Sequence, residues 1–217
     1  MIKGVIFDLD GVLVTTDEFH YQAWKQLAEK LGIFNFTRED NERQRGVSRM
    51  ESLEVVLEKG DKKYTKEEKI ALAEEKNEIY RKMLESLSEK DILSGVVHTL
   101  DNLKKRGIGI AIGSASKNTP MILEKTKLEN KVDQVSCGLD TAKSKPDPEV
   151  FLIAAKKLGL SPQECLVVED SAAGIQAAKA GNMKSLGVGP YYKELGADVC
   201  ARSLEEEINW DELLECV

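Results

Sequence analysis

The sequence predicts an α/β fold in which a doubly wound parallel sheet is interrupted after its first strand by a helical insert. Three observations carry that expectation. The stretch "GVIFDLDGV", residues 4 to 12, opens as a continuous apolar run of strand length, the pattern of a parallel strand covered on both faces, and ends on Asp8 and Asp10. From about residue 18 to 90 the periodicity is helical, with apolar residues three and four apart in "HYQAWKQLAEKLG" and "KEEKIALAEEKNEIYRKMLESL" and no convincing strand. After "LSGVV", short strands and amphipathic helices alternate: "VVHTLDNLKKRG" then "IGIAIGSAS", "PEVFLIAAKKLG" then "ECLVVEDS", "AAGIQAAKAG" then "MKSLGVG". The expected division is a discontinuous α/β core, residues 1–15 and 92–217, and a helical domain, residues 16–91.

Composition bounds the function. At 217 residues and 41% hydrophobic content the chain can bury one sizeable core with a smaller insert. Its 31 Lys+Arg against 38 Asp+Glu give a net charge of −7, which disfavours nucleic acid and anionic membrane surfaces as partners. Cys137, Cys165, Cys200 and Cys216 are far apart and form no C-x-x-C pair, so reduced thiols in a cytoplasmic protein are expected rather than a zinc site or a disulfide framework. The first apolar run is too short for a secretion signal, and no stretch approaches the roughly 20 apolar residues of a membrane span. There are no repeats and no low-complexity tract, and the absence of a long apolar seam makes a monomer the expectation.

In open parallel sheets ligands bind beyond the carboxyl ends of the strands. The residues expected there are Asp8 and Asp10, Ser114, Lys145, Glu169 and Asp170. Any one acid after a strand is ordinary turn or cap chemistry, but capping does not call for acids, a serine and a lysine at successive strand ends. So many converging carboxylates repel one another, which makes a divalent cation their natural occupant, and oxygen-only ligation points to Mg2+ paired with phosphate. In "SASKNTP", Thr119 is the expected N-cap and Pro120 the first helical residue, leaving Ser116, Lys117 and Asn118 to face an anion. Arg49, in the helical region, has a guanidinium suited to bind a phosphate bidentately. His98 lies on a core helix with no motif around it and reads as structural or exposed.

These residues carry a resemblance. "FDLDGVL", "GSAS", "SKPDPEVF" and "VVEDSAAGIQAAKAG" resemble, in order, the four motifs of the haloacid dehalogenase superfamily, and the helical insert is similar to that superfamily's small cap domain. The match is closer still to its hexose-phosphate mutases: "GVSR" in the cap, "SASKN" after a core strand, and His20 and Trp24 on the first cap helix. The resemblance covers nearly the whole chain and implies a Rossmann-like core. It implies that Asp8 is the nucleophile forming an aspartyl phosphate, that Asp10 is the general acid and then base, and that Ser114 and Lys145 hold the transferring phosphoryl group. Mg2+ would be held by Asp8, Asp10 through its carbonyl, Asp170 and Glu169. The substrate, a small phosphorylated sugar, would be met by Leu9, Thr16, His20, Trp24, Gly46, Val47, Arg49, Ser52, Lys76, Ala115, Ser116, Lys117 and Asn118, with His20 a hinge residue or an Asp10 partner. The implied reaction interconverts β-glucose 1-phosphate and glucose 6-phosphate through glucose 1,6-bisphosphate.

One departure concerns the hinge. Where the family places Asp then Ser/Thr, this chain has Thr15 and Thr16 with Asp17 following, so Thr16 is left to supply the hinge hydroxyl. Two alternatives compete with the mutase reading. One is a sugar-phosphate phosphatase of the same architecture, in which water replaces the sugar hydroxyl. The other is a receiver-type signalling module with a phosphoacceptor aspartate, disfavoured because such domains run to about 120 residues and carry no large helical insert.

Overall fold

A computed structural model describes residues 1–206 and 208–215; Cys216, one of the cysteines expected to be reduced, lies outside the described residues. Six parallel strands form one sheet, β1 (Gly4–Phe7), β2 (Gly109–Gly113), β3 (Gln134–Ser136), β4 (Cys165–Glu169), β5 (Lys184–Gly187) and β6 (Val199–Cys200), in the order β3-β2-β1-β4-β5-β6. Every residue of β1 is buried, as its unbroken apolar run requires. Val5 and Phe7 enter one apolar cluster with Ile112, Leu100 and Val168, whereas Ile6 enters a second with Phe151, Ala154 and Val167, so alternate residues of one strand serve the two faces of the sheet.

The position of β1 fixes the site. It pairs with β2 on one side and β4 on the other, with Val5 opposite both Ile110 and Leu166, and the strand order reverses there. At such a switch point the chains leaving adjacent strands diverge and open a crevice at their carboxyl ends. Asp8 and Asp10 emerge into that crevice, and Glu169 closes β4 beside them.

Between β1 and α5 (Val96–Lys105) lie the helices α1 (Asp17–Lys30), α2 (Arg38–Glu42), α3 (Arg49–Leu57) and α4 (Lys66–Leu84), and no strand interrupts them, as the periodicity predicts. Thr37 with Asp40, Ser48 with Glu51 and Thr65 with Glu68 form reciprocal capping boxes that start α2, α3 and α4. These helices enclose their own apolar cluster around Trp24, Leu27, Phe36, Leu53 and Val56. The far end of α4 does not belong to it: Tyr80 and Leu84, with Leu87 beyond, pack into the main core cluster and tie the insert down. The remaining helices, α6 (Thr119–Thr126), α7 (Glu149–Leu158), α8 (Ala172–Ala180) and α9 (Trp210–Glu215), complete the fold.

The structure adds two strands that the sequence does not announce. β3 is three residues long and begins on Gln134, and β6 is an exposed pair at the sheet edge, so neither shows a readable period. Helix α6 begins one residue earlier than expected: Asn118 is its N-cap, Thr119 is already helical, and the Thr119 hydroxyl donates to the Ser116 carbonyl at 2.9 Å. His98 is exposed on α5. Cys137 and Cys165 are buried free thiols and Cys200 is an exposed one. Among the described residues no helix is long and apolar enough to cross a membrane.

Candidate active site

A cavity of about 930 Å³ lies between the strand ends and the helical insert. Its floor is an ordered set of charges. Lys145 Nζ donates to Asp8 Oδ1 at 2.5 Å and to Glu169 Oε1 at 2.6 Å, with the lysine 2% exposed and the glutamate 1%. The other Glu169 oxygen accepts from the Ser171 amide at 2.7 Å and the Ser171 hydroxyl at 2.8 Å. Glu169 is thus a buried counter-ion that holds the lysine against Asp8, with both its oxygens accepting hydrogen bonds. Lys145 does not follow a strand directly either. It is carried by the long connection from β3 to α7, packed 4.7 Å over the Phe151 ring.

Asp10 faces the other way. Its Oδ1 accepts from the Thr16 amide at 2.8 Å and its Oδ2 from the Thr16 hydroxyl at 2.6 Å, and Tyr80 in turn donates to that hydroxyl at 3.0 Å. His20 Nε2 is 3.7 Å from Asp10 Oδ2. Asp170 lies against the turn after Asp10: Gly11 has φ +85°, and a Cβ there would stand 2.1 Å from Asp170 Oδ2, so close approach as well as backbone conformation excludes a side chain.

Burial governs the electrostatics. It pushes the Asp8 carboxyl up to about 7, with Lys145 opposing it and Glu169 adding to it. Asp10 is raised chiefly by burial, and Asp170 is raised well above the carboxylate range by burial together with Glu169 and Asp8. Asp8, Glu169 and Asp170, all nearly inaccessible, thus stand with the partly exposed Asp10 around one ammonium, that of Lys145, a donor set short of positive charge. Among the described residues no three His, Cys, Asp or Glu side chains converge as a ready-made cation cage. Mg2+ does not require one, since it is usually bound through one or two carboxylates with waters and substrate phosphate completing its shell.

The roof belongs to the insert. Trp24, Val47, Arg49, Ser52 and Lys76 all line the cavity, as expected. Lys76 is 3% exposed, with Nζ 2.9 Å from His20 Nδ1 and seated 4.5 Å over the Trp24 ring and 4.7 Å over the Tyr80 ring. Burial, and then Arg49, pull the Lys76 amine well below its ordinary value, and burial with Lys76 and Arg49 keeps His20 neutral. Arg49 is paired with Glu74 of α4 at 2.8 Å. Gly46, at φ +74°, presses its backbone on Ser171, where a Cβ would meet Oγ at 2.5 Å.

On the remaining wall, Ser114, Ala115, Ser116, Lys117 and Asn118 line the cavity. The amides expected to face an anion are partly spoken for: Ser116 N donates to Ser114 Oγ at 3.2 Å and Asn118 N to Ser116 Oγ at 3.1 Å. Two expected substrate contacts are not cavity residues. The Leu9 side chain is fully buried in the main core, because alternation turns it away from its flanking acids, and Thr16, 1% exposed, reaches the site through Asp10. The structure also brings in residues that the motifs do not single out. Arg45 of the insert donates to Asp170 Oδ2 at 2.8 Å, Asn77 accepts from Asn118 Nδ2 at 2.9 Å, and Tyr80 bonds Thr16. Arg45 immediately precedes "GVSR", and Tyr80 stands one helical turn after Lys76, the signals that could have found them.

Comparison with known proteins agrees with this fold. The family model of haloacid dehalogenase-like hydrolases matches residues 5–188. Beta-phosphoglucomutase of Bacillus subtilis is 42% identical over 207 residues, covering 94% of this chain and 91% of that protein. The phosphorylated carbohydrates phosphatase of Thermotoga maritima is 30% identical over 188 residues, covering 85% of this chain and 84% of that protein. The crystal structure of beta-phosphoglucomutase from Clostridium difficile superposes with a TM-score of 0.91 at 40% identity, covering 99% of this chain and 96% of that one.

Proposed function

The chain belongs to the haloacid dehalogenase-like hydrolases, and within that family we propose that it is a Mg2+-dependent sugar-phosphate mutase interconverting β-glucose 1-phosphate and glucose 6-phosphate. The observation that carries the chemistry is the separation of two nearby acids into unlike settings. Asp8 is held by a buried ammonium at 2.5 Å, and Asp10 accepts from the Thr16 amide and hydroxyl with His20 alongside.

In this reading an Asp8 oxygen attacks one phosphorus of glucose 1,6-bisphosphate as its bond to the sugar oxygen breaks, leaving a hexose monophosphate, and Asp10, released from Thr16, gives its proton to that leaving oxygen. In the return step the free hydroxyl of an incoming hexose monophosphate loses its proton to Asp10 and attacks the aspartyl phosphate, freeing Asp8 and forming the bisphosphate again. Burial suits Asp10 to carry a proton between the two steps. Lys145, fixed by Glu169, keeps a positive charge beside the oxygens of the transferring group, and Ser114 supplies a hydroxyl there. Asp8, Asp170 and the Asp10 carbonyl would hold Mg2+, which supplies charge neutralisation for phosphoryl transfer and favours the ionised form of Asp8.

Residues 16–91 act as a cap whose Arg49, Trp24 and Lys76 meet the distal part of a phosphorylated hexose, with the core formed by 1–15 and 92–217. A cap arginine over the cavity favours a mutase, because a bisphosphate intermediate presents a second phosphate. The phosphatase reading is supported by the Thermotoga relative. Phosphorus NMR of β-glucose 1-phosphate with a trace of glucose 1,6-bisphosphate separates the two: a mutase accumulates glucose 6-phosphate, whereas a phosphatase accumulates inorganic phosphate and no 6-phosphate.

A further inference from the structure

Arg45 sits between α2 and α3, on the insert, and reaches three carboxylates carried by three separate elements. Nη1 donates to Asp170 Oδ2 at 2.8 Å, Nε lies 2.8 Å from Glu42 Oε2 at the end of α2, and Nη2 lies 3.7 Å from Asp17 Oδ2 at the start of α1. The Asp170 contact is the desolvated one, with the acid side chain 7% exposed and the arginine 23%. A pair so placed is little screened by water, and an acid buried there cannot be left without a cation at low cost.

We infer that Arg45 is a positioning residue that clasps Asp170 from the cap and yields that carboxylate to a divalent cation, so that cation binding and seating of the cap on the core oppose one another. This rests on the metal site of the proposed function. The exchange strands neither party. Arg45 keeps Glu42 and Asp17, both on its own side of the cavity, and Asp170 trades one positive charge for another. The cap must be seated for the clasp to form, because the next residue, Gly46, already lies in contact with Ser171, one position beyond Asp170. Asp17 stands where the hinge sequence departs from the family pattern, so the fall-back partner belongs to the same local variation.

Calorimetric titration of Mg2+ into the full chain without sugar, with small-angle scattering of the same samples, tests this. If the clasp occupies about nine-tenths of the wild-type population, Arg45→Gln should bind Mg2+ about 10-fold more tightly. Mg2+ should expand the wild type, whereas Arg45→Gln should already show the expanded form before Mg2+ is added. Arg45→Lys, which keeps the charge, should lie between them. Equal or weaker Mg2+ binding by Arg45→Gln, with wild-type binding intact, overturns the inference and leaves the metal site standing. A wild type that binds no Mg2+ overturns the metal site and the inference together. Should Arg45→Gln not fold, Glu42→Gln decides: stripped of one fall-back partner, Arg45 holds Asp170 more firmly, and Mg2+ should bind several-fold more weakly and expand the protein less. Unchanged binding and expansion in that variant would count against the clasp.

Discussion

The floor and the roof of the cavity are built by opposite rules. On the floor, Asp8, Lys145, Glu169 and Ser171 form one buried chain of charge-assisted hydrogen bonds at 2.5 to 2.8 Å, all from loops and strand ends of a sheet that fixes its neighbours on both sides. On the roof, Arg49 leans on a Glu74 side chain that is 61% exposed, and Lys76 has two aromatic faces and a histidine in place of a carboxylate. The first arrangement is tightly constrained, because one Asp8 oxygen and both Glu169 oxygens already have partners. The second can exchange its present partners for a ligand's phosphate or hydroxyls. The proposed phosphoryl transfer would use the rigid half where bonds change and the adaptable half where either end of a bisphosphate is held.

If that contrast is right, damage should be severe on the floor and graded on the roof. Asp8→Asn is the extreme: the amide keeps the shape but cannot attack, so acid-quenched samples should contain no phosphoenzyme and turnover should vanish, while the melting transition remains cooperative. Normal turnover in this variant would break the assignment.

Lys145→Met comes next. It leaves Asp8 and Glu169 facing each other in a site where both are nearly inaccessible, and removal of one partner of such a buried pair costs about 3 to 5 kcal/mol. Denaturant titration should show a loss of that order together with loss of activity. Glu169→Gln in the same background should restore part of the stability without restoring activity, because one stranded charge is gone but the phosphoryl-facing cation is still missing.

Arg49→Ala should be milder. Glu74, its present partner, is mostly exposed, so stability should hardly change. Turnover of β-glucose 1-phosphate should fall about 10- to 100-fold, the scale of one lost charge-assisted contact to a distal phosphate. Acetyl phosphate has no distal phosphate, so phosphorylation of Asp8 from it should stay near wild type. Lysine at the position should rescue partly, because a point charge lacks the guanidinium fork. Equal use of β-glucose 1-phosphate by all three proteins would mean that the roof reads no second phosphate.

The same contrast explains what could be read from the sequence. Floor residues follow apolar runs, and a charged side chain directly after a buried strand has few places to go but the crevice; Asp8, Asp10, Ser114, Glu169 and Asp170 were legible for that reason. Lys145 follows no strand, and the motif around it rather than a strand end is what points to it. Leu9 is harder to place from adjacency alone, since its flanking acids point into the cavity while alternation sends its side chain into the core, and Thr16 meets the site through Asp10. Roof residues are harder, since a helix spacing that puts Trp24 and Lys76 on one face is equally the spacing of an ordinary apolar stripe. Arg45 shows the limit. Three residues after Glu42, it reads as a solvated helical pair, and its partner Asp170 lies 125 residues away.

The smallest effect should come from the seam between the two halves. Tyr80 is on α4 of the insert, yet it packs in the main core and donates to Thr16 Oγ1, the same oxygen that donates to Asp10 at 2.6 Å. Burial and the nearby Asp10 charge push the Tyr80 phenol up, so it stays a donor across the working range of pH. Tyr80→Phe keeps the ring that packs 4.1 Å from His20 and removes one hydrogen bond, which should cost about 1 kcal/mol of stability. Without that donor the Thr16 hydroxyl is free to turn, its bond to Asp10 weakens, and the resting position of Asp10 is less strongly held. Sugar-phosphate turnover, which in the proposed mechanism has Asp10 leave Thr16 and move a proton, should therefore change by no more than about 5-fold, whereas phosphorylation from acetyl phosphate, whose leaving group needs no proton, should not change. A 100-fold loss with both donors would place Tyr80 on the rigid floor. No change in either stability or sugar turnover would mean that the seam transmits nothing, and that the two halves meet only through what they hold between them.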